Sequence, residues 1–254
     1  MTIFSIFVLL VAGVIYFVFY SHFFLVAAVE VSGSVRAEEI KDALSNNLAE
    51  TSKIRYLLGS DNLLFWPPKA MGQIPSSLYW LEDIKIKKDW QQKKIIIEAK
   101  ERRPWLLWCL QTRTNADNVP RQSAIKKCYW VDEQGVVFSP ASEAEGFIVP
   151  KVFEEDGRQQ LILSQSFYDN PQLVKNTLEI IKQIKKSSLA VNRFLVSNAD
   201  LQEMETETGK LKLYFSLRFL PQNLNKILID LAGRLDFPKL EYVDFRVENR
   251  IYYK

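Results

Sequence analysis

The chain has 254 residues, with 33 Lys and Arg against 30 Asp and Glu, and a formal net charge of +3. This small excess is spread without a dense basic stripe, so nucleic acid is not an expected partner. One histidine, two cysteines and nine scattered glycines provide neither a zinc site nor a phosphate-binding loop. We therefore expect no metal, no cofactor and no small-molecule substrate.

The first 29 residues are the least polar part of the chain. No charged residue occurs from Thr2 to Val29, and the run FSIFVLLVAGVIYFVFYSHFFLVAAV is almost entirely apolar. Because a spanning helix needs about 20 such residues, the sequence predicts a transmembrane anchor over residues 1–23, with its helix at 3–23 and a minimal N-terminal tail inside the cytoplasm. A signal peptide cleaved near Val26-Ala27-Ala28 is the alternative, although its apolar core is typically only about 7–15 residues long.

Residues 24–103 have the pattern of a small β-α-α-β-β domain. Ile40, Leu44 and Leu48 recur at i, i+4 and i+8, which places them on one face of a helix. Leu81–Lys87 alternates apolar with charged residues, as a half-buried strand does. The expected elements are a strand at 26–31, helices at 36–48 and about 69–77, and strands at 81–87 and 93–101.

Residues 104–254 are richer in strands and predict a mixed, mainly antiparallel β domain with two helices. Asn170-Pro171 supplies an N-cap and a proline at the first helical position. A second helix is expected from Pro221, and a closing strand over Leu240–Val247 is followed by an aromatic tail. The fold class expected for the whole chain is α+β.

The two cysteines lie near a predicted hairpin, CYWVDEQGVVF at residues 128–138, in which Gly135 permits the turn. Cys109 and Cys128 fall on strands expected to pair. A disulfide between them would close a loop of about 20 residues and stabilise the domain by about 3 kcal/mol in the chain-entropy model. Two buried thiols and a reactive thiol are the alternatives, and an oxidising compartment would favour the disulfide.

No catalytic constellation emerges from the chain. The single histidine, His22, ends the apolar segment. Ser123 and Lys126 match the S-x-x-K pattern of penicillin-binding proteins and class A β-lactamases, but the companion motifs are missing and the match falls in a polar loop. Glu98 and Glu101 lie on opposite faces of a predicted strand. The sequence predicts a protein without enzymatic activity, with a membrane-bound hydrolase as a minor alternative.

The order of these segments resembles the FtsQ/DivIB family of bacterial cell-division proteins. VAAVEVSGSVRAEEIKDAL is similar to the first strand and helix of that family's POTRA domain, DNLLFW to its loop, and LYWLEDIKIKKDWQQKKIIIEAKERRP to its two-strand hairpin. CYWVDEQGVVF resembles the opening hairpin of the family's β domain, and LEYVDFRVENRIYYK its last strand. The resemblance implies an N-terminal transmembrane helix, a POTRA domain at 24–103 and an FtsQ-type β domain at 104–254.

The resemblance also implies a function, namely a divisome scaffold that binds FtsB/FtsL-like membrane proteins and links assembly to septal peptidoglycan synthesis. A partner would add a strand to the exposed last strand. The positions that match the partner-binding strand are Tyr242, Val247, Glu248, Asn249, Arg250, Ile251, Tyr252 and Tyr253. The alternative is a purely structural role, in which Tyr242, Phe245 and Val247 only fill the core of the β domain.

The expected location is the bacterial cytoplasmic membrane at the division septum, with residues 24–254 outside the cytoplasm. The main functional alternative is another membrane-anchored POTRA or ferredoxin-like component of a secretion or pilus-assembly machine. Such a protein would share the mixed α/β domains but would lack the strand-rich ending.

Overall fold

A computed structural model describes residues 2–67, 74–113, 123–142, 149–155, 158–187, 189–191, 193–198, 200–234 and 239–254. The fold is α+β, and the described residues include five α-helices and twelve strands. The chain divides into two compact units, which we call unit 1 (Met1–Arg102) and unit 2 (Arg103–Lys254).

Unit 1 contains a three-stranded sheet with order β1-β3-β2, in which β1 runs parallel to β3 and β2 runs antiparallel to it. Its elements are helices α1 (Thr2–Tyr20), α2 (Ala37–Thr51) and α3 (Lys53–Leu58), a 3-10 turn at Ser76–Leu78, and strands β1 (Ala28–Ser32), β2 (Leu81–Asp89) and β3 (Lys94–Glu101).

The core of unit 1 follows from the two periodicities of its sequence. The α2 side chains Ile40, Leu44 and Leu48 are buried, as the helical stripe predicts. On β3, Ile95 and Ile97 are buried by period-two alternation. The sheet and α2 therefore share one apolar core in this unit.

The predicted membrane helix is the main error of the sequence analysis. Within the described residues, no helix is both long and apolar enough to cross a membrane. Helix α1 has 19 residues and ends at Tyr20, three positions before the predicted end at residue 23. The expectation of a transmembrane helix over residues 3–23 is therefore wrong.

The second helix of unit 1 also differs from the prediction. It is α3, at Lys53–Leu58, and none of its side chains is buried. Its six residues place Ile54, Leu57 and Leu58 at helical spacing, but this is too short a segment to show a sustained helical period. The helix predicted at about 69–77 falls largely on 68–73, which lie outside the described residues, and Ser76–Leu78 forms a 3-10 turn.

Unit 2 is built on a nine-stranded mixed sheet with order β12-β11-β10-β9-β8-β7-β4-β5-β6. Its elements are strands β4 (Leu106–Arg113), β5 (Ser123–Val131), β6 (Val137–Ala141), β7 (Lys151–Glu155), β8 (Arg193–Asn198), β9 (Glu203–Thr208), β10 (Leu211–Ser216), β11 (Tyr242–Phe245) and β12 (Tyr252–Tyr253), with helices α4 (Pro171–Lys186) and α5 (Leu224–Arg234).

Helix α4 packs on one face of this sheet. The side chain of Asn170 caps the helix by accepting a hydrogen bond from the N–H of Gln172, and Pro171 occupies the first turn, as predicted. The apolar face of α4 joins Leu213, Phe215, Val243 and other sheet residues in one core. The sheet is thereby covered on its α4 side.

The cysteines lie directly opposite each other on β4 and β5 and form a disulfide, Cys109–Cys128. On the following turn, Gly135 has a φ of 86°, and a Cβ there would come within 2.4 Å of the Val174 side chain. The predicted hairpin is present, with β5 and β6 on either side of this turn.

Candidate functional site

The C-terminal segment ends the nine-stranded sheet on one side. The sequence suggested one strand over Leu240–Val247, but the structure has two strands here, β11 and β12, which pair antiparallel. Beyond β12 no further strand occurs in the described ranges. The outermost strand is therefore the aromatic tail, and β11 is covered by it.

The hydrogen bonds of this pair show which backbone groups face outward. Tyr242 and Lys254 form a hydrogen-bonded pair: the N–H of Lys254 donates to the carbonyl of Tyr242 at 3.2 Å, and the N–H of Tyr242 donates to the carbonyl of Lys254 at 3.4 Å. Hydrogen-bonded and non-hydrogen-bonded pairs alternate in an antiparallel ladder. The next pair, Val243 with Tyr253, is thus non-hydrogen-bonded, so the N–H and C=O of Tyr253 point away from β11.

A tight turn joins the two strands. The N–H of Arg250 donates to the carbonyl of Val247 at 3.2 Å. Asn249 has a φ of 59°, a left-handed conformation that asparagine tolerates better than most residues. Ile251 then packs against the core of unit 2 and fixes the start of β12.

A groove of about 240 Å³ lies beside this turn. One side is formed by Val247 to Ile251, and the other by the segment from Phe219 to Gln222 together with Ile227 of α5. Val247 is 46% exposed although it is aliphatic. The groove therefore presents an exposed apolar side chain beside the turn that leads into β12.

An ionic cluster holds β11 at the base of the site. The guanidinium of Arg246 donates to Asp244 at 2.7 Å and to Glu203 of β9 at 3.0 Å, and it lies 4.9 Å from the ring centre of Tyr214. Burial opposes ionisation of Asp244, but the hydrogen bonds and charge of Arg246 outweigh it and lower the pKa of the carboxyl group. The hydrogen bond that Arg246 donates to Asp244 likewise raises the pKa of Arg246.

The outer side chains of the site are weakly tied. Arg250 contacts the hydroxyl of Tyr252 at 3.5 Å, which raises the pKa of Arg250, and Lys254 pairs with Glu241 at 2.9 Å. These groups remain exposed, so both pairs are in high dielectric and contribute little to stability. The cationic side chains can therefore leave these contacts at little cost in free energy.

Some of the predicted site residues are half-buried, and the others are exposed. Tyr242 is half-buried on β11, 6.3 Å from Tyr214 between ring centres, and Ile251 is half-buried against the core. The exposed positions are Val247, Glu248, Asn249, Arg250, Tyr252 and Tyr253. Of the three residues proposed as core filling, only Phe245 is fully buried, where it stacks on Phe215.

The opposite wall of the groove is not apparent from the sequence. Phe219, Leu220 and Pro221 precede α5 and are about 25 residues away from the turn in sequence. Their hydrophobic character was visible, but nothing in the local sequence places them beside Val247. The parallel pairing of β10 with β11 brings the two segments together.

The structure describes the other residues considered for chemistry only in part. The backbone of Ser123 and Lys126 belongs to β5 rather than to a polar loop, and their side chains lie outside the described part of the structure. The disulfide leaves no free thiol at Cys109 or Cys128. No cluster able to hold a metal ion occurs among the described His, Cys, Asp and Glu residues.

No model of a known protein family matches the chain, and no curated protein matches it either.

Proposed function

We propose that this chain is a non-enzymatic scaffold of bacterial cell division, of the FtsQ/DivIB type. It binds FtsB/FtsL-like divisome proteins and links divisome assembly to septal peptidoglycan synthesis. The observation that carries this proposal is the edge strand β12, whose Tyr253 directs its N–H and C=O away from the sheet. The resemblance of the segment order to the family supplies the identity of the partners.

Strand addition requires an edge strand whose backbone N–H and C=O groups face outward, and β12 provides this edge. An extended partner segment that pairs with β12 satisfies the N–H and C=O of Tyr253, and successive side chains of the segment alternate between the two faces of the sheet. One of these side chains has the groove beside Val247 available, and Arg250 is positioned at the exposed turn to meet a carboxylate. Main-chain pairing provides affinity, and the groove provides selectivity.

The proposed site of action is outside the cytoplasm at the division septum. The Cys109–Cys128 disulfide supports this location because disulfides persist in oxidising compartments and are rare in the cytosol. No catalytic residue is needed for this role, since the chain acts by holding partners in position.

Substitution of Tyr253 by proline tests the proposal. Tyr253→Pro removes the outward N–H of the edge but none of the hydrogen bonds to β11, and proline is tolerated on edge strands. Tyr253→Val is the matched control, because it removes the aromatic ring but keeps the N–H. With the extracytoplasmic segment of the FtsB-like protein from the same organism, we expect Tyr253→Pro to bind about tenfold more weakly than Tyr253→Val.

Equal affinity of the two variants would contradict strand addition at β12. Circular dichroism and thermal unfolding of both variants establish that the fold is unchanged. A partner that does not bind the unsubstituted protein at all would contradict the divisome role itself.

A further inference from the structure

Unit 1 has one end on which three separate segments meet. The amide N–H of Ala27 donates to the carbonyl of Lys93 at 2.8 Å, and the Lys93 ammonium donates to the carbonyl of His22, also at 2.8 Å. Leu25 forms an isolated bridge with Asn62, just after α3. The segment that follows α1, the β2–β3 turn and the end of α3 are therefore adjacent.

This end exposes large apolar side chains from all three segments. Leu57 of α3 is 67% exposed, Phe23 is 57% exposed, and Trp90 in the β2–β3 turn is 46% exposed. Leu25 is exposed as well. We call the surface formed by Phe23, Leu25, Arg55, Leu57, Lys88 and Trp90 the basal surface.

The cations of the basal surface differ from the other lysines of the same sheet. Lys85 and Lys87 of β2 pair with Asp83 and Glu98, respectively. Lys88 instead continues the series Ile84 and Ile86 on the inward face of β2 and emerges beside Trp90, with its ammonium 5.3 Å from the ring centre. In the described part of the chain, neither Arg55 nor Lys88 forms a salt bridge with a carboxylate.

Arg55 and Lys88 also influence each other. Burial and the nearby positive charge of Arg55 together lower the pKa of the Lys88 ammonium. Two cations held close together, neither of them in a salt bridge among the described residues, favour an anion. The exposed aliphatic and aromatic side chains around them favour an apolar contact. A surface that offers both is the interface of an anionic bilayer, where Lys and Arg meet headgroups and Trp lies at the boundary with the acyl chains.

We propose that the basal surface docks on anionic phospholipid, with Arg55 and Lys88 at the phosphate groups and Phe23, Leu57 and Trp90 in the interfacial layer. This contact is separate from the partner edge at β12, and its failure would leave the proposed function untouched. The contacts of the basal surface with the headgroups would orient unit 1 relative to the bilayer surface.

The test compares binding of the full chain to vesicles of phosphatidylcholine with and without phosphatidylglycerol. The ratio of the two partition coefficients isolates the charge-dependent contact, because purely apolar contacts are common to both vesicles. For the double variant Arg55→Gln, Lys88→Gln, we expect this ratio to fall by about 25-fold, because each removed cation lowers it by roughly fivefold. The matched control, Lys210→Gln with Lys226→Gln, removes the same charge from exposed positions of unit 2 and leaves the ratio near that of the unsubstituted chain.

Two results would overturn the proposal. In the first, the double variant keeps the ratio of partition coefficients measured for the unsubstituted chain. In the second, the ratio for the control variant falls by the same factor, which would show that net charge alone causes the effect. The Trp90→Ser variant adds a second measurement: it lowers binding to both kinds of vesicle if the ring enters the interface, and unchanged binding would exclude that placement.

Discussion

Val243 and Tyr253 lie directly opposite each other on β11 and β12, yet Val243 is fully buried and Tyr253 is 54% exposed. Opposite residues of an antiparallel pair point to the same face of the sheet. Tyr253 therefore belongs to the apolar face of the sheet that α4 and α5 cover. At this last strand the face is exposed to solvent. A partner strand next to β12 would extend this face and shield the Tyr253 ring.

Acid weakens the base of this site through Asp244. Its pKa is lowered in the folded protein, so its ion pair with Arg246 stabilises fully above the unfolded value of about 3.9 and is lost as the pH falls through the folded value. We expect Asp244→Asn to reduce the free energy of unfolding by about 1 kcal/mol at neutral pH. Urea unfolding as a function of pH measures this, and the difference from the unsubstituted protein should shrink below about pH 4.

The exposed pair of Lys254 with Glu241 provides the control. Glu241→Gln should leave stability unchanged, since both side chains are about two-thirds exposed. A loss of stability for Glu241→Gln as large as that for Asp244→Asn would contradict the special role of the Asp244 cluster.

The turn that folds β12 back depends on Asn249. At a φ of 59°, glycine fits without strain, whereas a β-branched residue costs about 1–2 kcal/mol. We expect Asn249→Gly to bind the partner segment as the unsubstituted chain does and Asn249→Val to bind about tenfold more weakly, because β12 detaches. Isothermal titration gives both affinities, and equal weakening by the two substitutions would point to the lost amide side chain instead of the turn.

The disulfide stabilises unit 2 by restricting its unfolded chain. Cys109 and Cys128 are 19 positions apart, and closing such a loop contributes about 3 kcal/mol. The double variant Cys109→Ala, Cys128→Ala should therefore lower the Tm of unit 2 by about 10 °C. Reduced unsubstituted protein serves as the control and should show a similar decrease. A Tm that reduction leaves unaltered would mean that the bridge contributes nothing.

Gly33 supports the junction between β1 and α2. It has a φ of 86°, and an added Cβ would lie 2.0 Å from the carbonyl oxygen of Ala99. Gly33→Ala should destabilise unit 1 by about 3 kcal/mol, from backbone strain and displacement of β3. Gly209 is the matched control: its φ is 62° with open space around it, so Gly209→Ala should cost only about 1 kcal/mol. Equal costs would show that the close approach to Ala99 is relieved without penalty.

The sequence predicts best those elements whose signals are local. The cap at Asn170, the apolar stripe of α4 and the alternation in β2 all mark elements that the structure contains. Helix α3 was not predicted because its six residues are too few to show a sustained helical period, and the structure leaves Ile54, Tyr56 and Leu57 exposed. The membrane helix was predicted from apolar composition alone, and no helix among the described residues is long and apolar enough to cross a membrane.

The candidate site was only partly predictable for a related reason. The residues from Val247 to Tyr253 were identified by their position at the end of the chain and by resemblance. Their division into a turn and an edge strand depends on a left-handed Asn249 and on pairing with β11. The groove depends on the parallel pairing of β10 with β11, a long-range contact that no local pattern encodes.

Amide hydrogen exchange at Tyr253 is the most direct test of strand addition at β12. The full chain is measured at single-residue resolution with and without the extracytoplasmic segment of the FtsB-like protein. We expect the N–H of Tyr253 to exchange rapidly in the free protein and slowly in the complex, while that of Lys254, already bonded to Tyr242, changes less. If the segment binds and Tyr253 exchanges as rapidly as before, the partner does not pair with β12, and the proposed mode of scaffolding is wrong.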